Sequence, residues 1–137
     1  MACQQRGHTV RVYTLDWMGE VPEGFEIVIV PVTAFTNHTR NERFSSWVKS
    51  ALRKAPVDGV IGINKMPDLD VYFCGDSCYE EKMQTQRSWF DRQLPRYHHF
   101  AHYERSVFGN DSPTKILMIS DAQTAFFKKY YETPSDR

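Results

Sequence analysis

The chain has 137 residues, of which 41% are hydrophobic and 25% charged. That composition is typical of a folded globular domain and excludes wholesale disorder, which requires low hydrophobicity together with a high net charge. The 17 basic residues balance the 17 acidic ones, so the overall charge does not indicate whether the protein binds nucleic acid or a membrane, and any such partner must bind a local patch. No nucleic-acid partner is expected.

Cysteine content and hydropathy restrict the location of the protein. Three cysteines, an odd number, argue against a disulfide framework and are typical of a reducing compartment. No run of about 18 apolar residues is present, which predicts no membrane-spanning helix. The first residues lack the basic and apolar regions of a signal peptide, so the predicted location is the cytoplasm.

Strand and helix patterns alternate along the chain. Residues 1–6 are predicted to be the last turn of a helix, with Gly7 at its left-handed C′ position. A start of this kind leads us to expect that the domain has a preceding segment; the alternative is a short frayed N-terminal turn. Apolar runs predict strands over residues 9–14, 25–31, 59–63, 71–74 and 116–119. Helical spacing predicts helices over 41–54, over 79–108 with a break near Pro95, and over 122–131 with Asp121 as N-cap.

This alternation predicts an α/β fold: a Rossmann-like, doubly wound parallel sheet covered by helices on both faces. Residues 1–137 are expected to form one domain. Neither G-x-G-x-x-G nor G-x-x-x-x-G-K-[ST] occurs. Because the Gly-rich loop of such sheets usually follows the first strand, that strand is expected to be missing from this chain.

Two loops that follow predicted strands are candidates for the functional site, since ligands bind at the carboxyl ends of parallel strands. In the first loop, Lys65 is suited to phosphate or sugar oxygens and Asp70 to sugar hydroxyls; the alternative is a solvated turn shaped by Pro67. In the second loop, Asp76 is a hydrogen-bond acceptor, a general base, or simply the N-cap of the next helix.

The cysteines and histidines do not indicate a metal site. Cys74 and Cys78 lie four residues apart with no histidine nearby, whereas zinc requires three or four ligands. These thiols are therefore interpreted as structural. His98 and His102 have helical i, i+4 spacing but lack the glutamate of the metalloprotease pattern. No metal is expected.

Residues 82–108 combine a local excess of basic residues with bulky aromatic side chains. This composition is typical of a helix that lies in a membrane interface. The alternative is that the aromatic side chains belong to the core and the cations to its solvated face, and a nucleic-acid surface is the least favoured interpretation. The candidate membrane contacts are Lys82, Arg87, Trp89, Phe90, Arg92, Arg96 and Tyr97.

Several of these segments together resemble one family of bacterial enzymes. They are Arg6-Gly-His-Thr-Val-Arg-Val-Tyr-Thr14, Asn37-His38 with Arg40-Asn41, Gly62-Ile-Asn-Lys-Met-Pro-Asp-Leu-Asp-Val-Tyr-Phe73, and Arg96-Tyr-His-His-Phe-Ala-His-Tyr-Glu-Arg105. The chain resembles, over essentially its whole length, the lipopolysaccharide core heptose glucosyltransferases. The run from Asn64 to Tyr72 is the specific part, whereas Arg-Gly-His before a strand occurs in many glycosyltransferases.

The resemblance implies a fold and an activity. Family members have the GT-B architecture, in which two Rossmann-like domains face each other across a cleft. They transfer glucose from UDP-glucose to a heptose of the lipopolysaccharide inner core, with retention of configuration and no cofactor or required metal. They work at the cytoplasmic face of the inner membrane as peripheral proteins, and a basic aromatic region of the N-terminal domain contacts the anionic surface.

For this chain the resemblance implies the acceptor-side N-terminal domain. The family's first strand, its Gly-rich loop and its C-terminal nucleotide-sugar domain are absent, so the isolated chain is expected to be inactive. Asp76 is the candidate catalytic residue, and Asn64, Lys65 and Asp70 are the candidate acceptor-binding residues. The expected partners are the lipopolysaccharide core precursor, the anionic membrane surface and the missing C-terminal domain.

Three positions depart from the family pattern. The family commonly has Gly in place of Asp68 and Ala in the run that contains Cys74 and Gly75, which places the details of acceptor binding in question. The alternative function is a non-catalytic module that binds anionic membrane or the lipopolysaccharide precursor through residues 82–108.

Overall fold

The chain divides between Pro56 and Val57 into two compact units, each built around its own parallel sheet. The computed structural model describes residues 2–137. The combination of parallel strands and α-helices confirms the predicted α/β class. The strands are hydrogen-bonded in two separate sheets, one of two strands and one of three.

The first unit contains two helices and two strands, namely α1 (Ala2–Gln5), β1 (Val10–Thr14), β2 (Phe25–Ile29) and α2 (Asn37–Lys54). Strands β1 and β2 pair in parallel, with Val10 opposite Phe25. Gly7 follows α1 with a φ of 80°, which confirms the predicted left-handed position. Helix α2 begins four residues before its predicted start because the Thr36 hydroxyl accepts a hydrogen bond from the backbone N–H of Thr39.

The second unit has three strands, β3 (Ile61–Gly62), β4 (Val71–Cys74) and β5 (Lys115–Met118), in the order β3-β4-β5. Its helices are α3 (Tyr79–Gln86), α4 (Pro95–Phe108) and α5 (Thr124–Tyr131), and short 3₁₀ turns cover Phe90–Gln93 and Asp121–Gln123. All strands are parallel, so their carboxyl ends lie at one edge of the sheet.

One face of this sheet packs against α4 and α5. Tyr72 and Ile116 lie opposite each other in the register and share this face. They belong to a buried cluster that also contains Phe108 and Phe127, whose rings stack with their centroids 3.6 Å apart. Gly62 is required here, because a Cβ at this position would lie 2.3 Å from Leu69 Cδ1.

The other face of the three-stranded sheet is exposed in its central part. Ile61, Phe73 and Leu117 alternate with the buried residues and are 69%, 44% and 54% exposed. The apolar runs of β3, β4 and β5 predict that both faces of this sheet are buried. In the structure, α4 and α5 pack on the face that carries Tyr72, and the side chains on the second face remain exposed. Strand β3 is also shorter than predicted, with two residues in the ladder.

Helix boundaries around residues 79–131 differ from the predictions in two places. The predicted break near Pro95 extends from Arg87 to Leu94, and Pro95 occupies the first turn of α4, where its missing N–H costs nothing. The predicted N-cap Asp121 is wrong: the Ser120 hydroxyl accepts the hydrogen bond from the Ala122 backbone N–H. Among residues 2–137, no helix has the length and apolar character needed to cross a membrane.

Candidate functional site

A cleft of about 300 Å³ opens at the carboxyl ends of β4 and β5. This is the edge at which open parallel sheets bind their ligands. The cleft is lined by Cys74, Gly75, Asp76, Ser77, Met118, Ile119, Ser120 and Gln123. Of the residues that the sequence pattern singled out as site candidates, Asp76 lies in this lining.

Asp76 presents a carboxylate to the cleft while both of its oxygens are held from behind. Its side chain is 57% exposed. The Tyr72 hydroxyl donates a hydrogen bond to Oδ1, and Lys65 Nζ lies 2.8 Å from Oδ2. Asp76 is not the N-cap of α3: Cys78 occupies that position, and its side chain makes no capping hydrogen bond. The capping interpretation of Asp76 is therefore wrong.

The N-terminus of α3 is capped instead from other elements. Glu104 of α4 accepts hydrogen bonds from the backbone N–H groups of Tyr79, at 2.8 Å, and Glu80, at 3.0 Å. The Gln123 side-chain carbonyl accepts from the backbone N–H of Cys78 at 3.0 Å. Three N–H groups that would otherwise lack a partner at the helix end are thereby satisfied.

Glu104 is a functional candidate that the sequence analysis did not identify. The residue is fully buried, and it also accepts hydrogen bonds from the Tyr131 hydroxyl and Lys65 Nζ, both at 2.6 Å. Every one of these partners is a donor, a set that matches an ionised carboxylate. The available signal was a glutamate on the same helical face as the core residues Val107 and Phe108, where an acidic side chain requires a partner.

Lys65 connects Glu104 to Asp76. Its side chain is 10% exposed, and Nζ contacts Glu104 Oε1 at 2.6 Å, Asp76 Oδ2 at 2.8 Å and the Ser77 carbonyl at 3.0 Å. An ammonium group has three donors, so these acceptors use all of them. Burial alone lowers the pKa of Lys65, but the attraction of Glu104 and Asp76 outweighs it and the pKa is raised.

Burial also keeps the neighbouring acidic groups protonated. It raises the pKa of the Tyr72 and Tyr131 hydroxyls, and hydrogen bonds to Asp76 and Glu104 raise them further. The pKa of the Cys74 thiol rises to about 11 and that of Cys78 to about 12, mainly through burial. Within the described residues 2–137, no group of three or more His, Cys, Asp or Glu side chains is arranged to hold a metal ion.

The remaining candidate acceptor-binding residues lie at different edges of the sheet. Asn64 is exposed and follows the carboxyl end of β3, next to Lys65. Asp70 precedes β4 at its amino end, and its carboxylate accepts a hydrogen bond from the Val60 backbone N–H at 2.7 Å. The structure therefore does not bring Asp70 to the cleft, because a parallel strand separates its position from that of Asp76.

The candidate membrane contacts lie between α3 and α4 and at the adjoining helix ends, except for Lys82 in the middle of α3. Trp89 and Phe90 are 60% and 73% exposed and meet edge to face, with ring centroids 5.1 Å apart. Lys82, Arg87 and Arg96 are exposed. The other two candidates are partly buried and bonded: Arg92 donates to Gln84 at 2.6 Å, and Tyr97 donates to Glu80 at 2.9 Å.

The Tyr and Phe side chains of α4 are buried or partly buried. Tyr103 and Phe108 are buried, and Phe108 lies in the core cluster. The core interpretation therefore holds for these two residues, while the exposed aromatic side chains lie in the segment before α4. The aromatic residues within 82–108 therefore occupy two adjoining environments, namely the core beneath α4 and the exposed surface before it.

The fold and the cleft define an α/β protein with parallel sheets and a carboxylate at the ligand-binding edge. No protein-family model matches the chain. The chain is 46% identical over 132 residues to the lipopolysaccharide glucosyltransferase WaaG of Escherichia coli, a match that covers 96% of this chain and 35% of the relative. It also superposes on a crystal structure described as WaaG, a glycosyltransferase involved in lipopolysaccharide biosynthesis, with a TM-score of 0.95 and 44% identity.

These matches confirm the similarity that the sequence motifs indicated, in both sequence and fold. The structural match covers 98% of this chain and 36% of the other. The chain thus spans about a third of the length of the glycosyltransferases that it matches.

Proposed function

We propose that this chain is the acceptor-side part of a glycosyltransferase of lipopolysaccharide core biosynthesis. The longer protein transfers glucose from UDP-glucose to a heptose of the inner core, with retention of configuration and without a metal or other cofactor. The supporting observation is the 46% identity to the lipopolysaccharide glucosyltransferase across 96% of this chain. The isolated chain is inactive in this proposal, because the nucleotide-sugar domain lies in the part of the longer relatives that the match does not cover.

Asp76 is the residue through which this chain contributes to the chemistry. Its carboxylate faces the cleft at the carboxyl ends of β4 and β5, where it accepts a hydrogen bond from a sugar hydroxyl. Ser120 and Gln123 line the same cleft and offer further polar contacts to the acceptor. A positioned acid–base group contributes about 10²–10⁴ in rate.

A chimera tests this proposal. The matched part of E. coli WaaG is replaced by this chain, and glucose transfer from UDP-glucose to the lipopolysaccharide precursor is measured. The chimera is expected to transfer glucose, the Asp76→Asn variant to lose about 10²-fold or more in kcat, and the isolated chain to show no turnover. A folded but inactive chimera, or turnover by the isolated chain, contradicts the proposal.

The exposed Trp89 and Phe90 support a second function, a contact with the anionic inner membrane from the cytoplasmic side. Leu94 is also about half exposed, and Arg87, Arg92 and Arg96 surround these apolar side chains in sequence. Aromatic anchors with flanking cations are the composition of an interfacial membrane site. This contact brings the cleft to an acceptor that is anchored in the membrane, and it can operate without catalysis.

Liposome flotation separates this contact from non-specific attraction. Changing Arg87, Arg92 and Arg96 to Gln is expected to lower binding to anionic vesicles about 100-fold, since each cation near such a surface contributes about 1 kcal/mol. The control changes Lys49, Arg53 and Lys54 of α2 to Gln, which removes the same charge elsewhere. Equal losses in both triple variants, or equal flotation with neutral vesicles, contradicts a specific membrane site.

A further inference from the structure

Lys65 is placed where a substrate-binding lysine would be expected, yet it has no donor left for a substrate. Its Nζ contacts Glu104, Asp76 and the carbonyl of Ser77 at 2.6, 2.8 and 3.0 Å. The side chain is also largely buried, and Nζ lies 5.8 and 5.7 Å from the ring centroids of Phe108 and Phe127. Of the three charged groups in this set, Asp76 is the one that is more than half exposed.

The charges are arranged so that a negative group remains at the cleft. Lys65 lies between two carboxylates, so the set carries one net negative charge. Glu104 cannot move toward the cleft, because the N–H groups of α3 and the Tyr131 hydroxyl hold both of its oxygens. Lys65 is fixed by this anchor, and its position then determines where Asp76 Oδ2 can lie.

Tyr72 supplies the second constraint on Asp76. Its side chain is fully buried in β4, and its hydroxyl donates to Oδ1 while Lys65 holds Oδ2. Two donors from the protein interior fix the orientation of the carboxylate plane and leave its outward lone pairs to accept from a ligand.

We propose that Lys65, anchored by the buried Glu104, is a positioning residue that fixes the Asp76 carboxylate toward the cleft as the acceptor for a substrate hydroxyl. The inference rests on the proposed function for its kinetic consequence. It replaces the expectation that Lys65 binds an acceptor phosphate, and it assigns Glu104 a role in the site although the residue is fully buried and does not line the cleft.

The positioning itself is tested on the 137-residue chain by NMR, independently of any transfer reaction. Scalar couplings at the Asp76 Cβ protons report whether the side chain keeps one χ1 rotamer. We expect one rotamer in the native chain and in the control Lys128→Met, rotamer averaging in Lys65→Met, and a single rotamer again in Lys65→Arg. A single Asp76 rotamer in a folded Lys65→Met chain overturns the inference.

The kinetic consequence is tested in the chimera with E. coli WaaG. Lys65→Met is expected to lower kcat about 10²-fold, the loss typical of a misplaced catalytic group, with the KM for UDP-glucose within about twofold. In an Asp76→Asn background the same change is expected to cost little more, because its effect passes through the carboxylate that is already removed. Lys65→Arg is expected to recover part of the loss.

Additive losses from Lys65→Met and Asp76→Asn would overturn the inference, since a purely structural lysine would act independently of the carboxylate. If the unmodified chimera folds but transfers no glucose, the proposed function fails. The rotamer measurement then still decides whether Lys65 positions Asp76.

Discussion

Glu104 is a fully buried carboxylate in the second unit. A fully buried carboxylate is stable only when donors replace its lost hydration, and here the partners come from three directions: the N-terminus of α3, Tyr131 of α5 and Lys65. The same contacts join α3, α4 and α5 to the loop after β3. Fold stability and the geometry of the cleft therefore depend on one side chain.

Replacing Glu104 with Ala is expected to lower the free energy of unfolding by about 3–5 kcal/mol, because the variant leaves Lys65 buried beside a single carboxylate and the α3 N–H groups without acceptors. Urea denaturation of the 137-residue chain measures this loss. The control is Glu132→Gln, an exposed position in the same unit, for which a change within about 0.5 kcal/mol is expected. A small loss in Glu104→Ala would show that water replaces the missing carboxylate.

Thiol reactivity provides a test of burial at the same site. The pKa of Cys78 is raised from 9.0 to about 12 and that of Cys74 to about 11, so little thiolate forms in the folded chain at pH 8 to 9. Iodoacetamide is expected to modify the exposed Cys3 well before either of them. In urea all three should react at similar rates. Comparable rates in the folded chain would contradict the buried placement.

The same shifts predict how stability changes with pH. Below about pH 9 both thiols are protonated in the folded and the unfolded chain. Above it the unfolded chain releases protons that the folded chain retains up to about pH 11 for Cys74 and about pH 12 for Cys78. The two thiols therefore reduce the free energy of unfolding as the pH rises through this window.

At the scale of an element, the C-terminal half of α4 is tied to segments distant in sequence. Glu104 near its end accepts from α3, and the Arg137 guanidinium donates to the carbonyls of Phe108, Gly109 and Ser112 just beyond it. The carbonyls at a helix C-terminus lack intrahelical partners, and a cation is favoured there by the helix dipole. Arg137 thus satisfies carbonyls at the end of α4, which contributes Val107 and Phe108 to the core cluster.

Arg137→Ala is expected to reduce the free energy of unfolding by about 1 kcal/mol, the usual net value of such hydrogen bonds. The free energy of unfolding of Arg137→Lys is expected to lie between those of Arg137→Ala and the native chain, since an ammonium keeps the charge but loses the planar fork that reaches several carbonyls. Urea denaturation of the three chains gives the order. Equal stability of Arg137→Ala and the native chain would show that solvent satisfies these carbonyls equally well.

At the scale of the whole molecule, the exposed face of the three-stranded sheet bears on how the chain is expected to associate in solution. Ile61, Phe73 and Leu117 form an apolar surface on a sheet whose outer strands, β3 and β5, each pair on one side, and such surfaces promote association. The chain is therefore expected to self-associate as its concentration rises.

Sedimentation analysis checks this expectation. Changing Phe73 and Leu117 to Thr is expected to shift the association midpoint to at least about tenfold higher concentration, because two large apolar side chains leave the contact. The matched control is Val57→Thr, which removes a partly exposed apolar side chain away from the strands. A native chain that remains monomeric at high concentration would contradict the prediction.

Local sequence determined the element types and the direction of the strands. Apolar runs and helical spacing predicted all five strands, β4 with its observed bounds, and the helix break before Pro95. These features depend on neighbours a few residues apart, for which periodicity and turn chemistry are sufficient. The motifs from Asn64 to Tyr72 also indicated the similarity to glucosyltransferases that the comparisons confirm.

Only the tertiary structure decided which of the predicted polar residues meet. Asp76 lies in the cleft, whereas Asp70 lies at the opposite end of the same strand. All three donors of Lys65 bond to acceptors within the protein. The N-terminus of α3 is capped by Glu104, which lies 25 residues further along the chain than Tyr79. The physical reason is that hydrogen bonding and charge pairing act over a few ångströms in space. The partners of a buried charge are therefore set by packing and not by distance along the sequence.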